Sequence, residues 1–267
     1  MHCSSYYLKP AALSYLLLAV LTACSSSPTG RNQVILFSDS EMSQLGSQSF
    51  EQLKKTETVS HDPKINTYVK CVADAITKQV PQQESFTSWE VVVFDSPQVN
   101  AFALPGGKIG VYTGLLNVAT NQDQLATVLG HEVAHVLANH GNERMSRSQI
   151  TNTGLQISDV ALSSSGYGKY RDLTMGALGL GVQYGITLPY GRTQESEADI
   201  MGIDLMAKAG FDPNQSIQLW KNMAKASGGN QPPELLSTHP SHSTRINDLS
   251  TEIKQLPKYN TKATQCQ

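Results

Sequence analysis

Two histidines and one glutamate lie within five consecutive residues near the middle of this 267-residue chain: His131, Glu132 and His135. Residues four positions apart on an α-helix lie on the same face, one turn apart, so both imidazole rings could bind one Zn²⁺ ion. Glu132 points away from that ion, but its carboxylate can reach a water molecule beside it, where a general base acts in zinc-dependent hydrolysis. The spacing therefore predicts a hydrolytic zinc site, and the alternative is a pair of structural histidines.

The residues around this motif predict a helix that packs into the protein core. Asn121 can cap the start of the helix. Apolar side chains recur along it at Leu125, Val128, Leu129, Val136 and Leu137. A buried helix that carries two histidines and a glutamate needs partners for them, because burying unpaired polar groups is costly. A metal ion is the simplest partner, which favours the zinc site.

The third protein ligand of such a site must come from another segment. His140 lies five residues after His135, roughly 140° away around a continuous helix, so we expect it to form a local hydrogen bond instead of binding the metal. Glu195 lies at the head of the apolar stripe of a later helix, whereas Glu197 falls on a face that we expect to be solvated. Glu195 is therefore the predicted third ligand.

Asp199 lies one helical turn after Glu195, on nearly the same face. It is placed to accept a hydrogen bond from the second nitrogen of a ligand histidine, an arrangement that orients such ligands. Acidic residues near a helix N-terminus also occur because they compensate the helix dipole, and that alternative stays open for both carboxylates.

The hydrophobic pattern of the whole chain predicts an α+β fold that is mostly helical. Residues 88–95, "SWEVVVFD", have strand character, and residues 100–114, "NAFALPGGKIGVYTG", predict two strands joined by a Pro-Gly-Gly turn. Residues 173–189 are apolar and rich in glycine, which favours either a buried helix or a lid over the site, and the sequence leaves open whether residues 163–190 cover the site. We expect one domain over residues 35–267, with a small sheet or hairpin beside the active-site helix.

The N-terminus predicts a lipoprotein. Residues 1–23 combine a cationic start, a short apolar run and small residues before Cys24, as in a secretory signal peptide. The stretch "LTAC" resembles a bacterial lipobox, in which Cys24 would be lipidated and residues 24–34 would form a flexible tether. Ser25 then predicts a lipid-anchored protein of the bacterial outer membrane that faces the periplasm. The alternative is an ordinary signal peptide with an incidental cysteine.

The charge of the chain bears on whether it binds nucleic acid, and its cysteines bear on whether it forms a disulfide. The formal net charge is −2 at pH 7, and no basic stripe suggests a nucleic-acid partner. Cys71 and Cys266 lie outside the signal and the lipidation site. An oxidising periplasm would allow them to form a disulfide, although the sequence leaves open whether they are close enough.

Four segments occur in the order found in a known family: "NAFALPGGKIGVYTGLL", "GHEVAHVLANH", "ESEAD" and "THPSHSTRI". The chain resembles the metallopeptidase family that includes the CAAX prenyl proteases, HtpX, BepA and LoiP, and it is most similar to the LoiP-type periplasmic lipoproteins. The resemblance implies a zincin-like fold. It also implies zinc ligation by His131, His135 and Glu195, one ion per chain, and catalysis by Glu132 as the base.

The last of these segments adds two residues to the implied site. His239 would lie near the zinc, either as a catalytic residue that stabilises the tetrahedral oxyanion or as an inhibitory ligand. Without the resemblance, His242 would be an equal candidate. Arg245 falls where the family has an arginine that supports the site, and a structural ion pair is its alternative.

The resemblance also implies a function. It predicts a zinc-dependent endopeptidase that cleaves misfolded or stalled outer-membrane and periplasmic proteins, with the edge of the hairpin holding the substrate backbone. Its partners would be these unfolded proteins, the membrane through the lipid, and the outer-membrane assembly machinery. Two alternatives are an assembly factor with secondary protease activity, and a lipid-anchored binding module whose zinc is closed by four protein ligands.

Overall fold

The computed structural model describes residues 24–83, 85–164, 171–182, 187–226 and 242–266. Within these residues, the structure has eight α-helices, a three-stranded sheet and a two-stranded sheet, which confirms the predicted α+β class. The strands are β1 (Cys24–Ser26), β2 (Asn32–Val34), β3 (Glu90–Phe94), β4 (Ala101–Leu104) and β5 (Lys108–Tyr112). The helices are α1 (Asp39–Thr56), α2 (Pro63–Thr77), α3 (Gln122–Leu137), α4 (His140–Ser164), α5 (Arg171–Val182), α6 (Leu188–Lys208), α7 (Gln215–Ala226) and α8 (His242–Gln255). None of the described helices has both the length and the apolar character needed to cross a bilayer.

The three-stranded sheet has the order β3-β5-β4, so β4 is an edge strand. β3 pairs with β5 in parallel, and β4 pairs with β5 in antiparallel. The predicted hairpin between β4 and β5 is confirmed. Its turn contains Gly106 and Gly107 at φ values of 86° and 71°, in a left-handed region that other residues enter at a cost. A side chain on Gly107 would also collide with the ring of Phe86, 2.6 Å from the position of its Cβ.

Helices α3 and α6 cross at two glycines. A Cβ atom added to Gly130 would lie 2.7 Å from the carbonyl oxygen of Gly202, and one added to Gly202 would lie 2.8 Å from the backbone nitrogen of His131. The backbones therefore touch at a distance that no larger residue allows. This contact places the helix that carries the two histidines directly against the helix that carries Glu195.

The segment expected to be a flexible tether, residues 24–34, is folded onto the domain. β1 and β2 pair in antiparallel, and the loop between them brings Arg31 into contact with the carboxylates of Glu143 and Glu197. The side chain of Gln33 is buried and donates a hydrogen bond to the carbonyl oxygen of Ala138. The expectation of a flexible tether is therefore wrong for this segment. Two buried carboxylates from distant helices provide the counter-charge, and local sequence does not reveal such partners.

Two further segments bear on the predictions. Cys71 on α2 and Cys266 form a disulfide with Cα atoms 5.7 Å apart, which fastens the end of the chain to α2. Of residues 163–190, the described part includes α5, which packs against α4. Each α5 side chain that the structure describes is at least partly exposed, so the described part of α5 gives no support to the buried-helix alternative.

Candidate metal centre

Three side chains from α3 and α6 converge on one point. The Nε2 atoms of His131 and His135 lie 3.0 Å apart, and the two carboxylate oxygens of Glu195 lie 3.4 and 3.3 Å from them. Ligand atoms held at 2.0–2.1 Å from one tetrahedral Zn²⁺ lie roughly 3.3–3.4 Å from one another. Two imidazoles and a carboxylate also form the donor set that suits this ion. The residues brought together here therefore fit a zinc site in both spacing and chemistry.

The second nitrogen of each histidine has its own partner. His131 Nδ1 lies 2.9 Å from Asp199 Oδ1, which is the contact predicted for Asp199. His135 Nδ1 lies 2.7 Å from Nδ1 of His140. These contacts orient both rings so that their Nε2 atoms face the shared point, as supporting hydrogen bonds do for metal-binding histidines.

The sequence placed His140 away from the site because the helix was assumed to continue. In the structure α3 ends at Leu137, and Asn139 adopts a left-handed conformation with φ of 54° before α4 begins at His140. The break turns the His140 ring back towards His135. The expected local hydrogen bond exists, but it is made to a histidine of the site. Asn139 was the available signal, since asparagine tolerates this conformation at helix ends.

Glu197 is also placed differently from its prediction. It is 4% exposed, and its Oε2 lies 3.0 Å from His140 Nε2. Burial raises the pKa of its carboxyl, but hydrogen bonds from Ser27, Thr29, His140 and Arg31 outweigh this effect and lower the pKa to about 2. The predicted solvated face is wrong, because the loop between β1 and β2 covers this side of α6.

Arg245 lies on α8 and contacts two carboxylates of the site, Asp199 and Glu195. Its Nε and Nη2 donate to the two oxygens of Asp199 at 2.8 and 2.5 Å, and Nη1 lies 3.3 Å from Oε2 of Glu195. The guanidinium carbon lies 3.7 Å from the centre of the Trp220 ring. The two-point contact fixes Asp199 in the orientation that faces His131. Arg245 therefore forms the ion pair that was its alternative role, and that pair supports the site.

Charges around the two histidines favour a cation at this point. Burial and Arg245 lower the pKa of His131, but hydrogen bonds to Asp199 and Glu195 outweigh them and raise it to about 9. For His135, burial prevails over the hydrogen bond to Glu195 and lowers the pKa to about 4. The carboxylates that stabilise a charged His131 also favour a bound metal ion.

Glu132 lies beside the site and is only partly exposed. Burial raises the pKa of its carboxyl, and the charge of Glu195 acts in the same direction, whereas His131 and a hydrogen bond from the Ala103 backbone lower it; the net effect is a raised pKa. A carboxylate whose pKa is shifted towards neutrality is suited to take up and release a proton. The contact with Ala103 also places β4 next to this carboxylate.

Three residues named in the sequence analysis gain no structural test here. His239 lies outside the described residues, and so does the side chain of His242. Cys24 is the first residue of β1, and its lipidation stays a prediction.

Comparison with known proteins gives one family and two groups of relatives. The profile of Peptidase family M48 matches residues 60–253. The mitochondrial metalloendopeptidase OMA1 of Saccharomyces cerevisiae is 35% identical over 179 residues, 64% of this chain and 48% of that protein. The mitochondrial metalloendopeptidase OMA1 of Danio rerio is 35% identical over 252 residues, which are 89% of this chain and 52% of that protein. The beta-barrel assembly-enhancing protease of Yersinia pestis is 28% identical over 232 residues, which are 85% of this chain and 46% of that protein. The chain spans about half the length of these curated relatives.

Proposed function

Because the chain belongs to peptidase family M48, we propose that it is a zinc-dependent endopeptidase with His131, His135 and Glu195 as metal ligands. The observation that carries this proposal is the convergence of three donor atoms, all within 4.8 Å of one another, beside Glu132. When bound, zinc would lower the pKa of a water ligand and stabilise negative charge on the carbonyl oxygen of the substrate.

The side chains of the site divide the remaining work of the reaction. Glu132 accepts the proton of the attacking water and returns it to the leaving amine, for which its raised pKa is suited. Asp199 holds the His131 ring in place, and Arg245 holds Asp199. Fixed hydrogen bonds of this kind keep the ligands oriented through the reaction without reorganisation.

The edge strand β4 supports a proposal for substrate binding. One side of β4 pairs with β5, and β4 is an edge of the described sheet that contacts α3. An extended peptide could add to this edge as another strand, held by its backbone, with its scissile carbonyl near Glu132. Backbone recognition depends little on side chains, so this binding mode favours broad sequence specificity.

For the biological role, we propose the LoiP-type assignment: a lipid-anchored periplasmic enzyme of the outer membrane that removes misfolded or stalled proteins. The signal-like N-terminus and Cys24 support it, and so does the similarity to a protein named as a beta-barrel assembly-enhancing protease. That name also favours a second candidate, an assembly factor for outer-membrane proteins. The relatives named as mitochondrial give no support to the periplasmic location.

The proposed activity can be tested with casein as substrate and with zinc measured in the same purified sample. We expect about one zinc per chain, cleavage by the unchanged protein, and no cleavage by Glu132→Gln. Zinc without cleavage would favour the assembly factor or a form that His239 inhibits, and His239→Ala would restore cleavage only in the second case. Folded protein that binds no zinc would refute the proposal.

A further inference from the structure

The loop between β1 and β2 inserts a cation beside the metal centre. Arg31 donates from Nη1 and Nη2 to both carboxylate oxygens of Glu143, at 3.0 and 2.7 Å, and from Nε to Oε2 of Glu197, at 2.8 Å. Glu143 is fully buried and Glu197 is 4% exposed. Two carboxylates with so little solvent need a counter-charge, and a guanidinium that reaches both supplies it.

Hydrogen bonds connect this cation to a proposed metal ligand. Glu197 accepts hydrogen bonds at both oxygens, from Arg31 Nε and from the Thr29 hydroxyl, so it is also the acceptor towards His140, whose Nε2 atom lies 3.0 Å away and donates the proton. A neutral His140 then has a lone pair on Nδ1, which accepts a proton from Nδ1 of His135 at 2.7 Å. His135 is left with its lone pair on Nε2, the atom that faces His131 and Glu195. The position of Glu197 therefore selects which nitrogen of His135 can bind a metal.

The other proposed histidine ligand has the same kind of support. His131 is oriented by a carboxylate, Asp199, which an arginine, Arg245, holds at two points. His135 is oriented by a carboxylate that Arg31 holds, with the ring of His140 between them. Each ligand histidine is thus supported by a carboxylate of α6 that is largely shielded from solvent and by an arginine from outside the α3–α6 pair.

We propose that Arg31 is a positioning residue of the metal centre. By holding Glu197, it fixes the tautomer of His140 and, through that ring, the lone pair of His135. The hydroxyl of Thr29 donates to the other oxygen of Glu197 at 2.5 Å and reinforces the same orientation. This inference rests on the proposed function, because it concerns the metal that His135 would bind. It gives the segment that follows the predicted lipid anchor a part in the site.

The test measures zinc affinity of the full mature chain by competition with a chromophoric chelator. We expect Arg31→Ala to bind zinc about 10- to 100-fold more weakly than the unchanged protein, the range found when such supporting contacts are lost. Arg31→Lys keeps the charge but cannot bridge two carboxylates with a planar fork, so its loss should be smaller. Arg147→Ala is the matched control, since Arg147 lies 3.5 Å from the same Glu143 and against the ring of Tyr190, and its described contacts do not include Glu197.

Two further measurements separate positioning from general destabilisation. Imidazole ¹⁵N chemical shifts of the metal-free protein should show that His140 Nδ1 and His135 Nε2 are both unprotonated. In Arg31→Ala, the same two rings should show a mixture of tautomers. Thermal unfolding of each variant identifies a fold defect. If Arg31→Ala does not fold, the test becomes whether Arg31→Lys binds zinc more weakly than Arg147→Ala does. Zinc affinity within twofold of the unchanged protein, with the same ¹⁵N pattern, would overturn the inference. Absence of zinc binding by the unchanged protein would instead refute the proposed function.

Discussion

The contact between Asp199 and Arg245 gives the sharpest quantitative prediction. Their side chains are only 11% and 5% exposed, so solvent screens this ion pair little. In Asp199→Asn, one amide oxygen can still accept from His131, but the NH₂ group then faces a nitrogen of Arg245, which lies 2.8 Å from Oδ2 in the unchanged protein. Two donors facing each other cannot form a hydrogen bond, so the substitution leaves a buried guanidinium with one partner fewer.

The size of the effect follows from this geometry. Removing one partner of a buried ion pair costs about 3–5 kcal/mol. Arg245 keeps a contact with Glu195 at 3.3 Å, and asparagine preserves the shape of the side chain, so the lower end of that range applies here. A loss of about 3 kcal/mol corresponds to a fall in Tm of roughly 6–12 °C for a domain of this size.

The assay is thermal unfolding of metal-free protein, kept in a chelator, followed by zinc titration of the same variant. Asp74→Asn serves as the control, because Asp74 pairs with Lys70 on the surface of α2, where the two side chains are 40% and 63% exposed. We expect that control to change stability by less than about 1 kcal/mol. If the Tm of Asp199→Asn stays within 2 °C of the unchanged protein and zinc affinity is the same, the assigned role of this pair is wrong.

Four other predictions concern the helices of the site, the disulfide and the predicted lipid anchor. Gly202→Ala would place a methyl group 2.8 Å from the backbone nitrogen of His131, so we expect a loss of about 1–3 kcal/mol in urea unfolding and weaker zinc binding. Gly154→Ala, at a helical position with nothing within 4 Å of the added atom, should instead stabilise the protein by roughly 0.5–1 kcal/mol, and destabilisation there would contradict the structure. Cys71→Ser removes a cross-link between residues 195 positions apart and should lower the free energy of unfolding by about 2–4 kcal/mol, a difference that dithiothreitol should abolish. Cys24→Ala should move the protein from the membrane to the soluble fraction of a bacterial host, and unchanged fractionation would refute the predicted anchor.

The parts of the fold that the sequence predicted depend on local patterns. The β4–β5 hairpin follows from two short strands around a Pro-Gly-Gly turn, and Gly106 and Gly107 have the left-handed conformations that such a turn requires. The start of α3 follows from Asn121, whose side chain accepts from the backbone of Gln124 at 2.9 Å. Periodicity also predicted the helix that carries Glu195, because its apolar stripe is continuous over several turns.

The parts that it did not predict depend on contacts between distant residues. Glu197 was assigned to a solvated face because its helical neighbours are polar, yet Arg31, 166 positions away, covers it. His140 was placed by assuming one uninterrupted helix, and the single residue Asn139 reverses that placement. A buried polar network of this kind leaves no periodic signal, because each member is polar and the residues that bury it belong to other segments.

If His131, His135 and Glu195 bind zinc as proposed, the two supporting arginines make the affinity depend on segments near both ends of the chain. Arg31 lies in the loop between β1 and β2 and Arg245 in α8, while the proposed ligands lie on α3 and α6. The crossing at Gly130 and Gly202 can bring the ligand side chains together without either end, but it cannot determine which ring nitrogen carries a proton. Zinc affinity should therefore rise when both ends have packed against the α3–α6 pair. If the β1–β2 hairpin or α8 were displaced while α3 and α6 stayed packed, the three proposed ligands would remain close together. The protein would still bind zinc weakly, because the affinity depends on the orientation of the ligands as well as on their proximity.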